Sequence, residues 1–250
     1  MLPGLSSVVV TPLHYLESGR QSVRAYFDMR PELGEIADRS MAACVRLEVR
    51  VAQQGSTYSE VQGSGFLIAG GRYVLTSGHS LTNSNPVSIK VTLADGRAFD
   101  AKVVQSSFDE FASTNIDLAL LRLDTEEELP SLEIGEPRSG DTVFVLGYPG
   151  KHGLNQAGLV VSGQAYSNES LKPLITVAVI DGASPIAMSP VAGSVPTGGM
   201  SGSPVVNSSG RAVGIFNQVV TTPGRDGVTY SCGASSSLEW WSKISKVVGQ

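Results

Sequence analysis

The chain has 250 residues, of which 41% are hydrophobic and 16% are charged, with a formal net charge of -5. This composition is typical of a folded globular protein and argues against a disordered chain. The acidic balance and the lack of a lysine and arginine cluster argue against nucleic-acid binding. No apolar run approaches the roughly 20 residues of a membrane-spanning helix. We therefore expect neither a nucleic acid nor a membrane as a partner.

The N-terminal part, residues 1–41, is predicted to be an extension with short helices. Its start, "MLPGLSSVVVTPLHYL", lacks a basic region and is interrupted by Pro12, which makes it a poor signal peptide. The default expectation is therefore a cytoplasmic protein. Residues 21–41 mix charged and apolar residues at helical spacing, and Pro31 and Gly34 are expected to divide them into two short helices.

After this extension the pattern changes to the alternation of half-buried β-strands, first in "CVRLEVRVA". Further strands are predicted at residues 65–69, 72–76, 87–93, 98–105 and 118–123, and then at 142–146, 158–164, 174–180, 204–206, 212–220 and 227–231. The charged stretch between the two series predicts a surface linker at 126–141. The pattern therefore predicts an all-β protein with two small barrels, at 42–125 and 142–236.

The last segment, 237–250, is predicted to be an amphipathic helix packed on this body. Leu238, Trp241, Ile244 and Val248 would form its apolar stripe.

The cysteines and the scarce histidines limit the chemistry. Cys44 and Cys232 are far apart in sequence and are predicted to be two free, buried thiols, with one long-range disulfide as the alternative. His14 lies in the N-terminal extension, and His152 lies in a glycine-rich turn. Neither has a second histidine or cysteine at ligand spacing, so we expect no metal and no cofactor.

Three polar residues at predicted strand edges form the candidate catalytic set. Ser201 lies in "PTGGMSGSPVV", which fits either a tight turn or a loop that presents a nucleophile. His79 follows an apolar strand, and Asp117 precedes the apolar run Leu118–Leu121. Taken singly, each could be a capping or turn residue. Together they supply the nucleophile, the base and the orienting acid of an acyl-transfer site, which two facing barrels would bring into one cleft.

The motifs around these residues resemble the trypsin-like serine proteases of chymotrypsin fold, and within that group the HtrA-type bacterial proteases. "GSGFLIAGGRYVLTSGHSL" is similar to the family's approach to its catalytic histidine, and "IDLALLRLD" is similar to its aspartate strand. "GDTVFVLGYPG" with "GLVVSG" resembles the start of its second barrel, and "GGMSGSPVVNSSGRAVGI" resembles its nucleophile loop. The resemblance covers roughly residues 42–232 and implies two six-stranded antiparallel barrels.

The resemblance also implies roles for residues of this chain. Ser201 would attack a peptide carbonyl, His79 would accept and return the proton, and Asp117 would orient His79. The backbone N–H groups of Gly199 and Ser201 would form the oxyanion hole. The implied activity is that of a serine endopeptidase acting on protein or peptide substrates.

Substrate contacts are expected in the segment that follows the nucleophile strand. By alignment on "VGIFNQVV", Asn217, Gln218 and Val219 would pair with an extended substrate, and the primary pocket would lie around Val195. Val195 supplies no carboxylate, and Val219 should narrow the entrance. These residues predict cleavage after small or medium aliphatic residues.

The chain departs from the family pattern at several points. Ser80 stands where many secreted relatives carry a disulfide cysteine, and Met200 stands where trypsin-like zymogens carry an aspartate that pairs with a freed N-terminus. Activation by such an ion pair is therefore not expected. No PDZ domain is expected after the closing helix, and the first 40 residues match nothing in the family. A regulatory partner is expected to act, if at all, through this N-terminal segment.

Two other functions are compatible with the same residues. One is a catalytically silent binding module on a protease fold, since the fold does not determine the function. The other is an esterase-like hydrolase that uses the same triad. The intact set of His79, Asp117 and Ser201 favours an active peptidase over the silent module.

Overall fold

The structure is a computed structural model that describes residues 21–52, 58–81, 86–107, 116–150, 173–193, 196, 198–224 and 227–249. Within these ranges the protein has twelve strands, which form two closed six-stranded barrels. The predicted all-β fold of two antiparallel six-stranded barrels is confirmed. The described helices are each too short or too polar to cross a membrane.

The first barrel is closed in the order β1-β2-β3-β6-β5-β4, and every neighbouring pair is antiparallel. Its strands are β1 (Cys44–Ala52), β2 (Tyr58–Ile68), β3 (Tyr73–Thr76), β4 (Ser88–Leu93), β5 (Ala98–Ser106) and β6 (Ala119–Leu123). The alternation seen in the sequence of β1 matches its burial, since Leu47, Val49 and Val51 are buried in the core while Arg50 is exposed.

The second barrel is closed in the order β10-β11-β12-β9-β8-β7. Its strands are β7 (Thr142–Gly147), β8 (Leu174–Ala183), β9 (Ile186–Gly193), β10 (Pro204–Asn207), β11 (Ala212–Gly224) and β12 (Gly227–Ser236). The strand predicted at 158–164 lies outside the described residues.

Strand β9 was not predicted from the sequence. Its segment "IAMSPVAG" contains Pro190, and a proline usually argues against a strand. Here the register between β9 and β8 shifts at Pro190, because Val177 pairs with Ala192 whereas the next residue, Ala178, pairs with Pro190. In the part of the chain that the structure describes, the pairs of β9 with β12 end at Met188, so no β12 residue pairs with Pro190.

The N-terminal helices pack against the second barrel. Residues 21–28 are helical and form α1, and α2 (Pro31–Met41) begins at Pro31. A proline is well tolerated at the start of a helix because its missing N–H would have no partner there. The predicted division at Gly34 is wrong, because Gly34 lies inside α2. The Phe27 ring meets the Phe144 ring of β7 edge-on with centroids 5.8 Å apart, which fixes α1 on this barrel.

The C-terminal helix α3 (Ser237–Val248) begins with a capping box formed by Ser236 and Glu239. Its predicted apolar stripe is partly wrong, because Leu238 is 52% exposed and Trp240 is fully buried. The indole Nε1 of Trp240 donates to the carbonyl of Ser235 at 3.2 Å, which turns this side chain inward. Ile244, as predicted, is buried on the same face.

Both cysteines are buried and free, which confirms the prediction of two thiols and excludes the disulfide alternative. Burial raises the pKa of the Cys44 thiol well above its ordinary value and the pKa of Cys232 to about 12. Both sulfurs are therefore protonated near neutral pH and are poor nucleophiles.

Candidate active site

His79 lies in a 3₁₀ turn, Gly78–Leu81, that follows β3. Its side chain is 42% exposed, whereas the side chain of Asp117 is 5% exposed. The His79 Nδ1 lies 2.5 Å from Asp117 Oδ2, and the His79 backbone N–H donates to Asp117 Oδ1 at 2.8 Å. Because a carboxylate accepts both bonds, Nδ1 carries the proton and Nε2 is left as the basic nitrogen.

Gly78 allows this close approach. A Cβ atom at Gly78 would lie 3.2 Å from Asp117 Oδ1 and 3.1 Å from the Leu118 carbonyl oxygen. A side chain at this position would therefore crowd Asp117 and Leu118, which directly precede β6. The small residue lets the histidine turn lie directly on the carboxylate.

A network behind Asp117 connects the two barrels. The backbone N–H of Asp117 donates to Ser235 Oγ at 3.3 Å, and Asn217 Nδ2 donates to the same oxygen at 3.1 Å. The pairing of β11 with β12 shifts register between Phe216 and Gln218, so Asn217 occupies a bulge. A bulge commonly redirects a side chain beside an active site. Here it accompanies an Asn217 side chain that contacts Ser235.

The loop around Ser201 depends on two glycines with positive φ. Gly199 has φ of 89° and Gly202 has φ of 90°. A Cβ at Gly199 would lie 2.0 Å from the Gly150 nitrogen, and a Cβ at Gly202 would lie 2.1 Å from the Ser64 carbonyl oxygen. Glycine is therefore required at both positions by backbone conformation and by space.

The carbonyl groups of this loop are all turned towards partners outside it or at its end. The four oxygens of residues 198 to 201 accept, in order, from Gly150 N at 2.9 Å, Ser64 Oγ at 2.9 Å, Ser203 N at 3.0 Å and Ser64 N at 2.8 Å. Within the described ranges, the N–H groups of Gly199 and Ser201 donate no hydrogen bond. The loop thus presents two backbone donors with free hydrogens, as an oxyanion hole requires.

The Ser201 loop lies against the turn that carries His79. A Cβ at Gly202 would be 3.0 Å from the Ser77 nitrogen, two residues before His79. Among the described residues no hydrogen bond joins Ser201 Oγ to the His79 ring. Catalytic hydrogen bonds are often long in proteins without substrate and shorten in the complex.

The predicted substrate-binding residues have different surroundings. Val195 lies outside the described residues. Gln218 is exposed, with its Cγ next to Gly233, and Val219 is half-buried against the core of the second barrel. The side chain of the half-buried Asn217 donates to Ser235 Oγ.

Sequence analysis missed Ser64 and Ser235, which both contact the site. Ser64 stands in the "GSG" of β2, and Ser235 is the first of three consecutive serines, of which two end β12 and the third begins α3. Neither position has a charge or a spacing that marks it as functional. Their contacts arise only when strands distant in sequence are brought together.

Comparison with known proteins identifies the family. The model of the trypsin-like peptidase domain matches residues 63–215, which include His79, Asp117 and Ser201. The chain therefore belongs to the family of trypsin-like peptidase domains.

Among its relatives, the chain is similar to a "probable periplasmic serine endoprotease DegP-like" of Hahella chejuensis. The two are 30% identical over 177 residues, which cover 69% of this chain and 33% of the relative. It is also similar to the mitochondrial serine protease HTRA2 of Drosophila virilis, with 30% identity over 219 residues, 80% of this chain and 46% of the relative. A DegP-like protease of Rickettsia prowazekii is 39% identical over 104 residues, 40% of this chain and 18% of the relative. These matches confirm the resemblance to HtrA-type proteases, although the chain spans less than half of the length of each of these relatives.

The expected cytoplasmic location is wrong. The matching relatives are named as periplasmic or mitochondrial proteases. The expectation had relied on the lack of a typical signal peptide, which is weak information about the compartment.

Proposed function

We propose that the chain is a serine endopeptidase in which Ser201 is the nucleophile, His79 the general base and Asp117 the residue that orients the base. The two halves of the site belong to two units, residues 42–125 with His79 and Asp117, and residues 142–236 with Ser201. Membership of the trypsin-like peptidase family and the His79–Asp117 pair support this assignment.

The proposed reaction runs in two stages. Ser201 Oγ attacks the substrate carbonyl carbon while its proton passes to His79 Nε2, and the N–H groups of Gly199 and Ser201 hold the oxyanion. The C–N bond then breaks, and His79 gives its proton to the leaving amine. A water molecule then gives a proton to the same nitrogen and attacks the acyl carbonyl. The ester C–O bond breaks as His79 passes this proton to Ser201 Oγ, which restores the free enzyme.

One observation carries the proposal: a buried carboxylate accepts the Nδ1 proton of a half-exposed histidine at 2.5 Å. The electrostatic role of Asp117 is to stabilise the imidazolium that forms when Ser201 loses its proton. A surface histidine without such a partner would supply neither the tautomer nor this stabilisation.

The decisive test is labelling with a fluorophosphonate, followed by identification of the labelled residue by mass spectrometry. We expect a single adduct on Ser201 and complete loss of labelling in Ser201→Ala. Ser203→Ala is the matched control, because this neighbouring hydroxyl is fully buried and should carry no adduct in any variant. Labelling that persists in Ser201→Ala would contradict the proposal.

The alternative functions give different outcomes. An unlabelled but folded wild-type chain would indicate the silent binding module. A labelled chain that hydrolyses p-nitrophenyl esters but cleaves no unfolded protein would indicate the esterase-like hydrolase. We expect cleavage of an unfolded protein substrate, such as reduced and carboxymethylated casein, that disappears in Ser201→Ala.

We further propose that the substrate pairs with the backbone of Asn217, Gln218 and Val219, and that a shallow apolar pocket near Val195 receives a small or medium aliphatic residue. Burial of one such side chain is worth about 1.5–3 kcal/mol. A peptide-library profile tests this pocket. A dominant preference for arginine, lysine or glutamate before the cut would contradict it while leaving the triad intact.

Regulation is proposed to act through the N-terminal segment, in a compartment outside the cytosol such as those named for the relatives. Gly193, two residues before Val195, ends β9, and its backbone N–H donates to Ser22 Oγ at 2.8 Å. A partner that displaces α1 would therefore act on the strand that leads to the pocket. Phe27→Ala, which weakens the seat of α1 on Phe144, should change kcat/KM for peptides. An unchanged kcat/KM would argue against this route.

A further inference from the structure

We propose that Ser64 is a positioning residue that holds the oxyanion hole open through its side-chain hydroxyl. This inference rests on the proposed peptidase activity, and no feature of the sequence indicated it. Ser64 is fully buried in β2, on the first barrel, whereas the loop that it contacts belongs to the second barrel.

The Ser64 hydroxyl occupies the centre of a small network. Its Oγ donates to the Gly199 carbonyl at 2.9 Å and accepts from the Tyr148 N–H at 2.9 Å. The Tyr148 carbonyl lies farther away, at 3.3 Å, so the single hydroxyl proton is best placed on Gly199. In addition, the backbone N–H of Ser64 donates to the Ser201 carbonyl at 2.8 Å. One residue thus contacts the loop on both sides of Met200.

Planar peptide groups connect these contacts to the oxyanion hole. In a trans peptide the carbonyl and the N–H point in opposite directions, so a bond that fixes one also fixes the other. The Gly198 and Met200 carbonyls belong to the peptide groups that carry the N–H donors of Gly199 and Ser201. Backbone amides hold both of these carbonyls.

The peptide group between these two depends on a side chain. Its carbonyl is that of Gly199, and Ser64 Oγ is the donor that holds it. Gly199 has no Cβ to restrict its rotation, so without this bond the middle peptide group could turn. Rotation there would swing the neighbouring N–H groups away from the place where the oxyanion forms. A half-buried Gly199 carbonyl and a buried Tyr148 N–H would also be left without partners.

The test compares Ser64→Ala with wild type in turnover of a quenched fluorescent peptide. We expect kcat to fall about 10- to 100-fold, because displacement of oxyanion donors by about 1 Å has effects of this size. Binding of uncleaved peptide should be unchanged, as measured by the Kd on Ser201→Ala with and without Ser64→Ala. A peptide trifluoromethyl ketone, whose adduct places an oxyanion in the hole, should lose affinity by the same factor as kcat.

Ser237→Ala is the matched control for a purely structural effect. Ser237 is also a buried serine whose Oγ donates to a backbone carbonyl, that of Gly135 at 2.6 Å, away from the site. We expect a comparable loss of thermal stability in both variants but a loss of kcat only in Ser64→Ala. Ser64→Cys keeps a weaker donor of similar shape and should recover part of the activity. It also provides the measurement if Ser64→Ala does not fold.

Several results would overturn the inference. The first is a kcat of Ser64→Ala within about threefold of wild type. The second is full kcat in Ser64→Cys together with unchanged affinity for the trifluoromethyl ketone. The third is a loss of kcat in Ser237→Ala equal to that in Ser64→Ala. A wild-type chain that neither cleaves peptides nor reacts with fluorophosphonate would instead overturn the proposed function itself. The two failures are therefore distinguishable.

Discussion

Substitution of Gly199 by alanine should lower the catalytic rate as well as the stability of the fold. An alanine Cβ at this position would lie 2.0 Å from the Gly150 nitrogen and 2.5 Å from its Cα. Real Cβ atoms essentially never approach another heavy atom within 3.0 Å, so the loop must move by about 1 Å. A displacement of that size at a catalytic group costs about 100-fold in rate, or about 2.7 kcal/mol of transition-state stabilisation.

Gly96→Ala separates this effect from backbone strain. Gly96 has φ of 91°, close to the 89° of Gly199, but no atom lies within 4 Å of a Cβ built there. Both variants carry the strain of a left-handed backbone, about 1–2 kcal/mol, and only Gly199→Ala carries the clash.

Two measurements on the same preparations decide the matter: kcat and KM with a fluorogenic peptide, and the free energy of unfolding in urea. We expect both variants to lose stability and only Gly199→Ala to lose kcat, with KM little changed. If Gly199→Ala retained kcat within about threefold of wild type, or if Gly96→Ala lost as much, the geometric reasoning would be refuted.

Three further predictions concern other parts of the molecule. Asp117→Asn should lower kcat by about 10⁴-fold with a normal circular dichroism spectrum, because the amide cannot accept both His79 bonds and favours the wrong imidazole tautomer; a loss below tenfold in steady-state assays would contradict this. Burial raises the pKa of Cys232 from 9.0 to about 12, so the folded state favours the protonated thiol. The stabilisation from this thiol is therefore complete below pH 9, and the free energy of unfolding falls by about 1.4 kcal/mol per pH unit as the pH rises from 9 towards 12. Urea unfolding between pH 8 and 11 should show a shallower decline in Cys232→Ala, and identical slopes would count against the assignment. Ser235→Ala should lower kcat moderately by removing the shared acceptor of Asp117 and Asn217, whereas unchanged kinetics would show that the network is dispensable.

The sequence was sufficient for the parts of the fold that follow from local patterns. Alternation in "CVRLEVRVA" is enough to predict β1, because each residue's burial there depends on its own strand face. The sequence also indicated the catalytic candidates His79, Asp117 and Ser201, since each stands at a strand edge in a family-like motif. The structure shows the first two in direct contact.

The parts that failed depend on contacts between distant segments. Pro190 hides β9, because only the pairing with β8 and β12 shows that its missing N–H is harmless. The face of α3 is a different kind of failure, because its buried residues Ser237, Trp240 and Ile244 follow the i, i+3, i+7 spacing of a helix, which the predicted stripe starting at Leu238 did not. Ser64 could not be found at all, since its role exists only where β2 meets the loop of the other barrel.

Met200 gives the nucleophile loop an unusual physical character. Its side chain is fully buried among the apolar residues of the second barrel, directly before Ser201. An anchor of this kind derives its strength from the removal of apolar surface from water and not from a pair of charges. Screening of charges by salt, which weakens an ion pair, should leave it almost untouched, whereas cooling should weaken it. The catalytic loop, and with it the fraction of molecules able to catalyse the reaction, should therefore become less ordered on cooling. A loop held by an ion pair would stay ordered.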